Sequence, residues 1–330
     1  MDSMSTRGQP VLSVVVPCHN EAGNIALLQA RLAGVLSQLG CTWEIVYVND
    51  GSRDTTLRLL EDLHVQDHRV AVVNLSRNFG KEIAMTAGLE HATGDAVIVI
   101  DADLQDPPEL IPELVSVWHQ GFDVVYAQRR ERNGETWLKK TTASGFYRLM
   151  GRLGGVSLPR DTGDFRLMSR RAVQALLRLR EHHRFMKGLF AWIGFPSQAV
   201  IYDRDARQHG GSSFDYWKLW NFALEGITSF TVMPLKVATY FGLLVSVLAG
   251  IYAVQMLIRT MLFGNTVAGY PSLMAVILFL GGAQLLTLGV IGEYLGRIFN
   301  ETKQRPLYLV ERYLPAHALP IAQPERDRVG

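Results

Sequence analysis

The stretch VIVIDADLQDPPEL, residues 97–110, sets Asp101, Asp103 and Asp106 directly behind a run of apolar residues. Carboxylates brought this close either raise one another's pKa or share a cation. An all-oxygen ligand set suits Mg²⁺ or Mn²⁺, ions that take one or two carboxylates and complete their shell with substrate phosphates. Asp101 and Asp103, two residues apart, are candidates for such a site, with Gln105 beside them. Pro107 and Pro108 stiffen the loop that follows. Two solvated loop aspartates produce the same spacing, so the D-x-D motif takes its meaning from context.

Three further polar clusters follow apolar runs: CHNE at 18–21, NDGSRD at 49–54 and SRNFGK at 76–81. Carboxylate or amide groups there, Asn20, Glu21 and Asp50, suit the ribose or base of a nucleotide, by analogy with the acidic residue of dinucleotide folds. No G-x-G-x-x-G follows the first apolar run and no G-x-x-x-x-G-K-[ST] occurs, which disfavours a dehydrogenase and a P-loop NTPase. The adjacent His182 and His183 point to different sides of a helix and read as surface residues rather than metal ligands.

These clusters need a frame that places them together. From 11 to about 202, short apolar runs alternate with helical patterns. VLSVVVP, WEIVYVND, VAVVNLS, AVIVIDAD and DVVYAQR read as strands. EAGNIALLQARLAGVLSQL, SRDTTLRLLEDLH and KEIAMTAGLEHA read as helices, the first with Ile25, Leu28, Leu32, Val35 and Leu36 at helical spacing and the second capped by Ser52 or Asp54. Continuous apolar strands between helices predict a mostly parallel α/β sheet covered on both faces, with ligands at the carboxyl ends of the strands. All the polar clusters fall at those ends.

After 202 the composition changes. YDRDARQHGGSSF is polar and glycine-rich, as a mobile loop is. DYWKLWNFALEGITSF then gathers Trp217, Trp220, Leu224 and Ile227 on one helical face, the pattern of a helix lying in a membrane interface or of a core-facing soluble helix. Residues 237–258 and 266–292 contain no charge, and each is long enough to span a bilayer. The whole chain of 330 residues is 48 % hydrophobic and only 19 % charged, consistent with a lipid contact. Lys218, Lys236, Arg297, Lys303, Arg305 and Arg312 flank the pair and predict both termini in the cytosol. The polar N-terminus has no apolar signal core. A net charge of +2 is too small to argue for nucleic acid, and the two cysteines, Cys18 and Cys41, offer neither a disulfide framework nor metal-site spacing. The expected organisation is an N-terminal tail over 1–10, a cytosolic catalytic domain over 11–213, an interfacial helix over 214–230, a transmembrane hairpin over 231–293 (spans about 237–258 and 270–292) and a cytosolic C-terminal segment over 294–330, disordered after Leu314.

VVVPCHNE, VNDGSRD, LSRNFGKEIAMTAGLEHATGD, DADLQDPPELIPEL, TGDFRLMSRRA and IGEYLGRIFNETKQRPLY, in this order, resemble the polyprenyl-phosphate glycosyltransferases, and most of all the bacterial undecaprenyl-phosphate glucosyltransferases. The resemblance runs from about 11 to 313. It implies a nucleotide-diphospho-sugar transferase fold of the GT-A type, an inverting metal-dependent reaction, and a homotetramer. It also implies that Pro17, Asn20, Glu21 and Asp50 hold the nucleoside with Lys81 nearby, and that Asp101 sits by the ribose and diphosphate. Asp103 and Gln105 match metal-binding positions. Arg129 matches a basic residue near the phosphates and, with Lys140 and Ser144, the positions that meet the acceptor phosphate; Asp164 matches the proposed catalytic base, and Arg207 an arginine of the loop that closes over the diphosphate. Where the family loop often reads G-x-S-K-Y, this chain has Gly211, Ser212, Ser213 and Phe214, so the usual lysine is a serine.

The expected reaction moves a sugar, glucose from UDP-glucose by resemblance, onto undecaprenyl phosphate. The product serves cell-envelope glycan modification, with a flippase and a downstream glycosyltransferase as further partners. Asp164 either orients the reactants or acts as a base. A phosphate monoester, with a second pKa of about 6, scarcely needs one. Two other readings compete. A processive polysaccharide synthase normally carries a Q-x-x-R-W motif, which is missing here, and a non-catalytic membrane scaffold has no use for Asp101, Asp103, Asp164 and Arg129.

Overall fold

The computed structural model describes residues 11–130, 162–182, 184–202, 233–263 and 269–316. The described residues divide between two compact units, one drawn from 1–148, 156–213 and 306–330, the other from 149–155 and 214–305.

The first unit is an α/β layer structure. Its elements are β1 (Leu12–Cys18), α1 (Ile25–Ser37), β2 (Trp43–Asn49), α2 (Thr56–Gln66), β3 (Val70–Leu75), α3 (Lys81–His91), β4 (Ala96–Val99), a 3-10 turn (Pro108–Leu110), α4 (Ile111–His119), β5 (Val124–Arg129), β6 (Thr162–Ser169), α5 (Arg170–Leu177), α6 (Met186–Trp192), β7 (Ser197–Tyr202) and β8 (Val310–Leu314). The described strands form one sheet in the order β7-β5-β6-β4-β1-β2-β3-β8. β4, β1, β2 and β3 run parallel, as the apolar runs predict, and β5 runs parallel to β7. β6 is antiparallel to both β4 and β5, and β8 is antiparallel to β3, so the sheet is mixed.

Helices cover both faces. Ile25, Leu28, Leu32 and Leu36 of α1 are fully buried in one cluster with Val14, Val16, Ile45 and Tyr47, while Val35 is half-buried. Tyr47 has no access to solvent, and its hydroxyl donates to Gln29 Oε1 at 2.8 Å, which accounts for a buried glutamine on the core face of α1. On the other face α3 lies so close to the sheet that a Cβ on Gly88 would stand 2.2 Å from Val15 Cγ1. Buried Glu44 accepts through Oε1 from Ser13 Oγ at 2.6 Å and from Thr93 N at 2.7 Å, which joins two strands to the turn before β4. Cys18 is buried, Cys41 is half-buried, and both are free thiols.

Three strands escape the sequence pattern: β6, β7 and β8. The last is the largest difference, because the segment after the apolar runs returns to the first unit as an edge strand instead of remaining a separate tail. Ser76 N donates to Leu309 O at 2.9 Å, Arg312 to Glu61 Oε1 at 2.8 Å and Tyr308 to Glu90, while the Tyr313 and His91 rings meet edge-on.

In the second unit, the two charge-free stretches form α7 (Met233–Phe263, 31 residues) and α8 (Tyr270–Thr302, 33 residues). Phe241 and Phe279 pack edge-on between them, and large apolar side chains such as Leu243, Leu248, Ile251, Leu285 and Leu288 are exposed. Over the described residues alone, no helix is long and apolar enough to cross a membrane; side chains at 233, 234, 236, 246, 249, 253, 256, 257 and 260 of α7 fall outside that description. The expected interfacial helix at 214–230, the N-terminus and the tail after 316 also lie outside it.

Candidate active site

The polar clusters converge where the parallel strands end. The loop after β1 and the loop after β2 are laced together. Asn20, in a left-handed backbone conformation at φ +58°, takes a hydrogen bond from Arg53 N at 2.8 Å and donates its own N–H to Ser52 Oγ at 3.0 Å. Glu21 N donates to Thr56 Oγ1 at 2.9 Å, and Asn24 holds the Glu21 carboxylate at 2.7 Å. Asp54 accepts from Thr56 N at 3.0 Å and from Ala22 N at 3.3 Å, so it serves both the start of α2 and the β1 loop. Burial, partly opposed by Asn24, raises the Glu21 carboxyl above the usual range, and nearby Asp103 adds to this. Pro17 is buried within β1 opposite Val48.

Asp50 fixes the third loop. Its carboxylate accepts from Phe79 N at 2.7 Å and Gly80 N at 2.9 Å. Gly51 has φ +61°, and a Cβ there would collide at 2.4 Å with backbone atoms of Arg77 and Asn78. Only glycine lets the two loops touch in this way. The clamp delivers Lys81, the first residue of α3, to the centre of the site.

Lys81 Nζ joins two carboxylates, donating to Asp101 Oδ2 at 2.7 Å and to Asp164 Oδ2 at 2.5 Å. The sheet explains the meeting. β4 and β6 pair with Val99 opposite Arg166, and continuing that register by two residues brings Asp101 to Asp164. One ammonium now faces two carboxylates and cannot fully compensate both. Burial pushes the Asp164 carboxyl up, but the Lys81 ammonium, with Lys187 and Arg166 behind it, holds it below the usual range. Burial raises Asp101 to about 6, Lys81 opposes this, and the charges of Asp164 and Asp106 add to it. Lys81 itself is pulled down by burial and pushed up more strongly by its two partners. Oδ1 of Asp101, although 2.7 Å from Lys81 Nζ, and Oδ1 of Asp164 are both buried without a hydrogen bond.

The residues of the D-x-D loop fit a hard divalent cation. Asp101 and Asp103 offer carboxylates and Gln105 an amide oxygen. Asp101 is left with incomplete charge compensation. Leu104 takes φ +59°, and Asp103 Oδ1 accepts from Gln105 N at 3.1 Å across that turn. Among the described residues no three His, Cys, Asp or Glu side chains gather to hold a metal by themselves, so such an ion would complete its shell with Gln105 and phosphate oxygens.

Asp106, grouped by sequence with the other two aspartates, has different work. It is 3 % exposed and accepts from the Tyr202 hydroxyl at 2.6 Å. Arg129 Nε donates to the same hydroxyl at 3.4 Å, and its guanidinium stands 3.9 Å from Asp106. Asp106 and Tyr202 thus hold Arg129 next to Gly163, the residue before Asp164. Tyr202 carries no motif and was invisible in the sequence. So were three charged residues behind Asp164. Buried Arg166 donates to Gly163 O at 2.9 Å and lies over the Phe190 ring at 3.6 Å. Burial holds the Lys187 ammonium below its usual range. Glu82 is pushed up to about 7 by burial and by Asp164, against the pull of Lys81 and Lys187. A period of two along β6 would have put Asp164 and Arg166 on one face. Lys140, Ser144 and Arg207 lie outside the described residues.

A mixed α/β sheet that gathers a D-x-D loop and a lysine-bridged carboxylate pair at its strand ends, without a dinucleotide fingerprint, fits a glycosyltransferase. Residues 13–177 match the family described as Glycosyl transferase family 2, and residues 233–298 match the GtrB C-terminal hairpin. The chain is 55 % identical over 313 residues to an uncharacterized glycosyltransferase of Synechocystis sp., covering 93 % of this chain and 98 % of that protein. It is 46 % identical over 301 residues to a prophage bactoprenol glucosyl transferase homolog of Escherichia coli K12, and 47 % identical over 300 residues to the bactoprenol glucosyl transferase of Shigella phage SfX. Each of these two alignments covers 91 % of this chain and 98 % of the relative. The chain therefore belongs to glycosyl transferase family 2, carries the GtrB C-terminal hairpin, and is a transferase.

Proposed function

We propose that the protein transfers one glucose from UDP-glucose to undecaprenyl phosphate with inversion at the anomeric carbon. The observation that carries this reading is similarity to proteins named bactoprenol glucosyl transferase along 91 % of the chain, catalytic domain and hairpin together. In this reading α7 and α8 cross the bacterial inner membrane as a hairpin. The catalytic domain and both termini face the cytosol. The 31 residues of α7 and 33 of α8, at 1.5 Å rise each, exceed the roughly 30 Å of a bilayer core. Exposed leucines and isoleucines on both helices suit lipid.

The Asp101, Asp103 and Gln105 oxygens would hold Mg²⁺ or Mn²⁺, which when bound offsets the negative charge that builds on the leaving diphosphate. Asn20, Glu21 and Asp50 shape the nucleoside end, with Pro17 near the end of the strand that leads to Asn20 and Glu21. Lys81 steadies the carboxylates around the sugar and diphosphate. Asp164 orients the sugar or the attacking phosphate. Arg129, fixed by Asp106 and Tyr202, meets phosphate oxygens together with Lys140 and Ser144, and Arg207 closes on the diphosphate. The acceptor phosphate, with a second pKa of about 6, attacks as a dianion without losing a proton first.

A panel of UDP- and GDP-sugars incubated with the purified protein, undecaprenyl phosphate and Mn²⁺ tests the reading. UDP-glucose gives a lipid bearing a single β-linked glucose. A polymeric product, or preference for another donor by more than about tenfold, a difference of 1.4 kcal/mol, overturns it.

A further inference from the structure

A cavity of about 560 Å³ opens beside the ends of β1, β2 and β3, lined among others by His19, Asn49, Arg53, Asn74, Arg77 and Glu311. Five of these come from the catalytic strands and their loops. Glu311 comes from β8, far along the chain. Two features place it there. β3 and β8 pair Asn74 with Arg312, then Leu75 with Val310, which leaves Glu311 as the extra residue of a β-bulge. Bulges at a sheet edge re-aim a side chain. The re-aimed carboxylate accepts from Asn74 Nδ2 at 2.9 Å, and Asn74 Oδ1 accepts from Asn49 Nδ2 at 2.7 Å.

A carboxylate only accepts, so it fixes the direction of both amides in this chain. Asn49 and Asn74 are 1 % and 6 % exposed and sit opposite each other on β2 and β3. Two amides buried at the tips of otherwise apolar strands cost stability unless they are held in this way. Their position in the sheet says which part of a ligand they face. β3 is three strands from β4, roughly 14 Å at the usual strand spacing, so the Asn74 and Glu311 wall of the cavity lies well away from Asp101, while His19 after β1 lies nearer to it. In the proposed use of a nucleotide-sugar donor, a nucleoside joined to a diphosphate at Asp101 would reach the cavity by lying across the strand ends.

We propose that Glu311 is a nucleoside-positioning residue: its bulge-aimed carboxylate orients Asn74 and Asn49 along the cavity wall and accepts a hydrogen bond from an N–H or O–H group of the nucleoside. This rests on the proposed use of a nucleotide-sugar donor and extends the donor site to the C-terminal strand. Calorimetric titration of the full-length protein with UDP, and separately with inorganic pyrophosphate, both in Mn²⁺, tests it. In Glu311→Ala, UDP binding weakens about tenfold, in the range for a bond to a charged group, while pyrophosphate binding is unchanged. In Glu311→Gln, which keeps an acceptor for Asn74, the loss is about threefold, and this variant decides if the alanine variant fails to fold. UDP affinity at the wild-type level in both variants, or an equal loss for UDP and pyrophosphate, overturns the inference. A wild-type protein that binds no UDP overturns the donor reading itself.

Discussion

Asp164→Asn lowers kcat about a hundredfold, and by the same factor from about pH 6 to about pH 8, because what it removes is orientation and not a base. Lys81 occupies Oδ2 of Asp164 at 2.5 Å and holds the carboxyl below its usual range, so the group stays ionised throughout and is a poor proton acceptor. The acceptor phosphate, with a second pKa of about 6, goes from about half dianion to almost wholly dianion over the same interval, equally for variant and wild type. A pH–rate profile of the variant against the wild type distinguishes the two roles. If Asp164 were a base, the variant would fail most at pH 6 and recover toward pH 8 as the acceptor ionises.

Lys81→Ala has a larger effect, about a thousandfold in kcat/KM, in the upper range for losing one group that stabilises developing charge. Among the described residues, the lysine is the cation that directly bridges Asp101 and Asp164. Without it two buried carboxylates repel each other across the site. The sign of the accompanying pH effect follows from the geometry. Removing an ammonium raises the pKa of the carboxyls it touches, so the acid limb of the pH–rate profile moves to higher pH. Lys81→Arg restores the charge but only part of the activity, because the longer, planar guanidinium does not reproduce the compact ammonium seated between the two carboxylates. A variant with unchanged acid limb and less than a tenfold loss contradicts the role given to Lys81.

The parallel half of the sheet was legible because each strand is a continuous apolar run ending in a polar cluster. Asp101, Asp103, Asp50 and Asn20 were found through those ends. The meeting of Asp101 with Asp164 was not legible. It depends on β6, whose sequence TGDFRLMS mixes glycine, aspartate and arginine into a strand and shows no clean alternation. Asp164 therefore entered only through its resemblance to a family motif, and its partner Lys81 only as a residue nearby. Asp106 was read only as part of the carboxylate cluster behind β4, because sequence shows proximity along the chain and not direction; buried, it turns to Tyr202 on β7. β8 was missed for a related reason. VERYL is short, charged and exposed along most of its length, as a protected edge strand is, and a bulge hides its register. The apolar stretches at 237–258 and 266–292 were legible from length alone, and α7 and α8 run through them.

The most direct measurement of the central claim follows UDP release from UDP-glucose and undecaprenyl phosphate in the presence of Mn²⁺, before and after an excess of chelator. The arrangement of Asp101, Asp103 and Gln105 predicts that release stops on chelation, resumes when Mn²⁺ or Mg²⁺ is restored, and is not restored by the cation in Asp103→Ala. Release that continues undiminished in excess chelator contradicts the account.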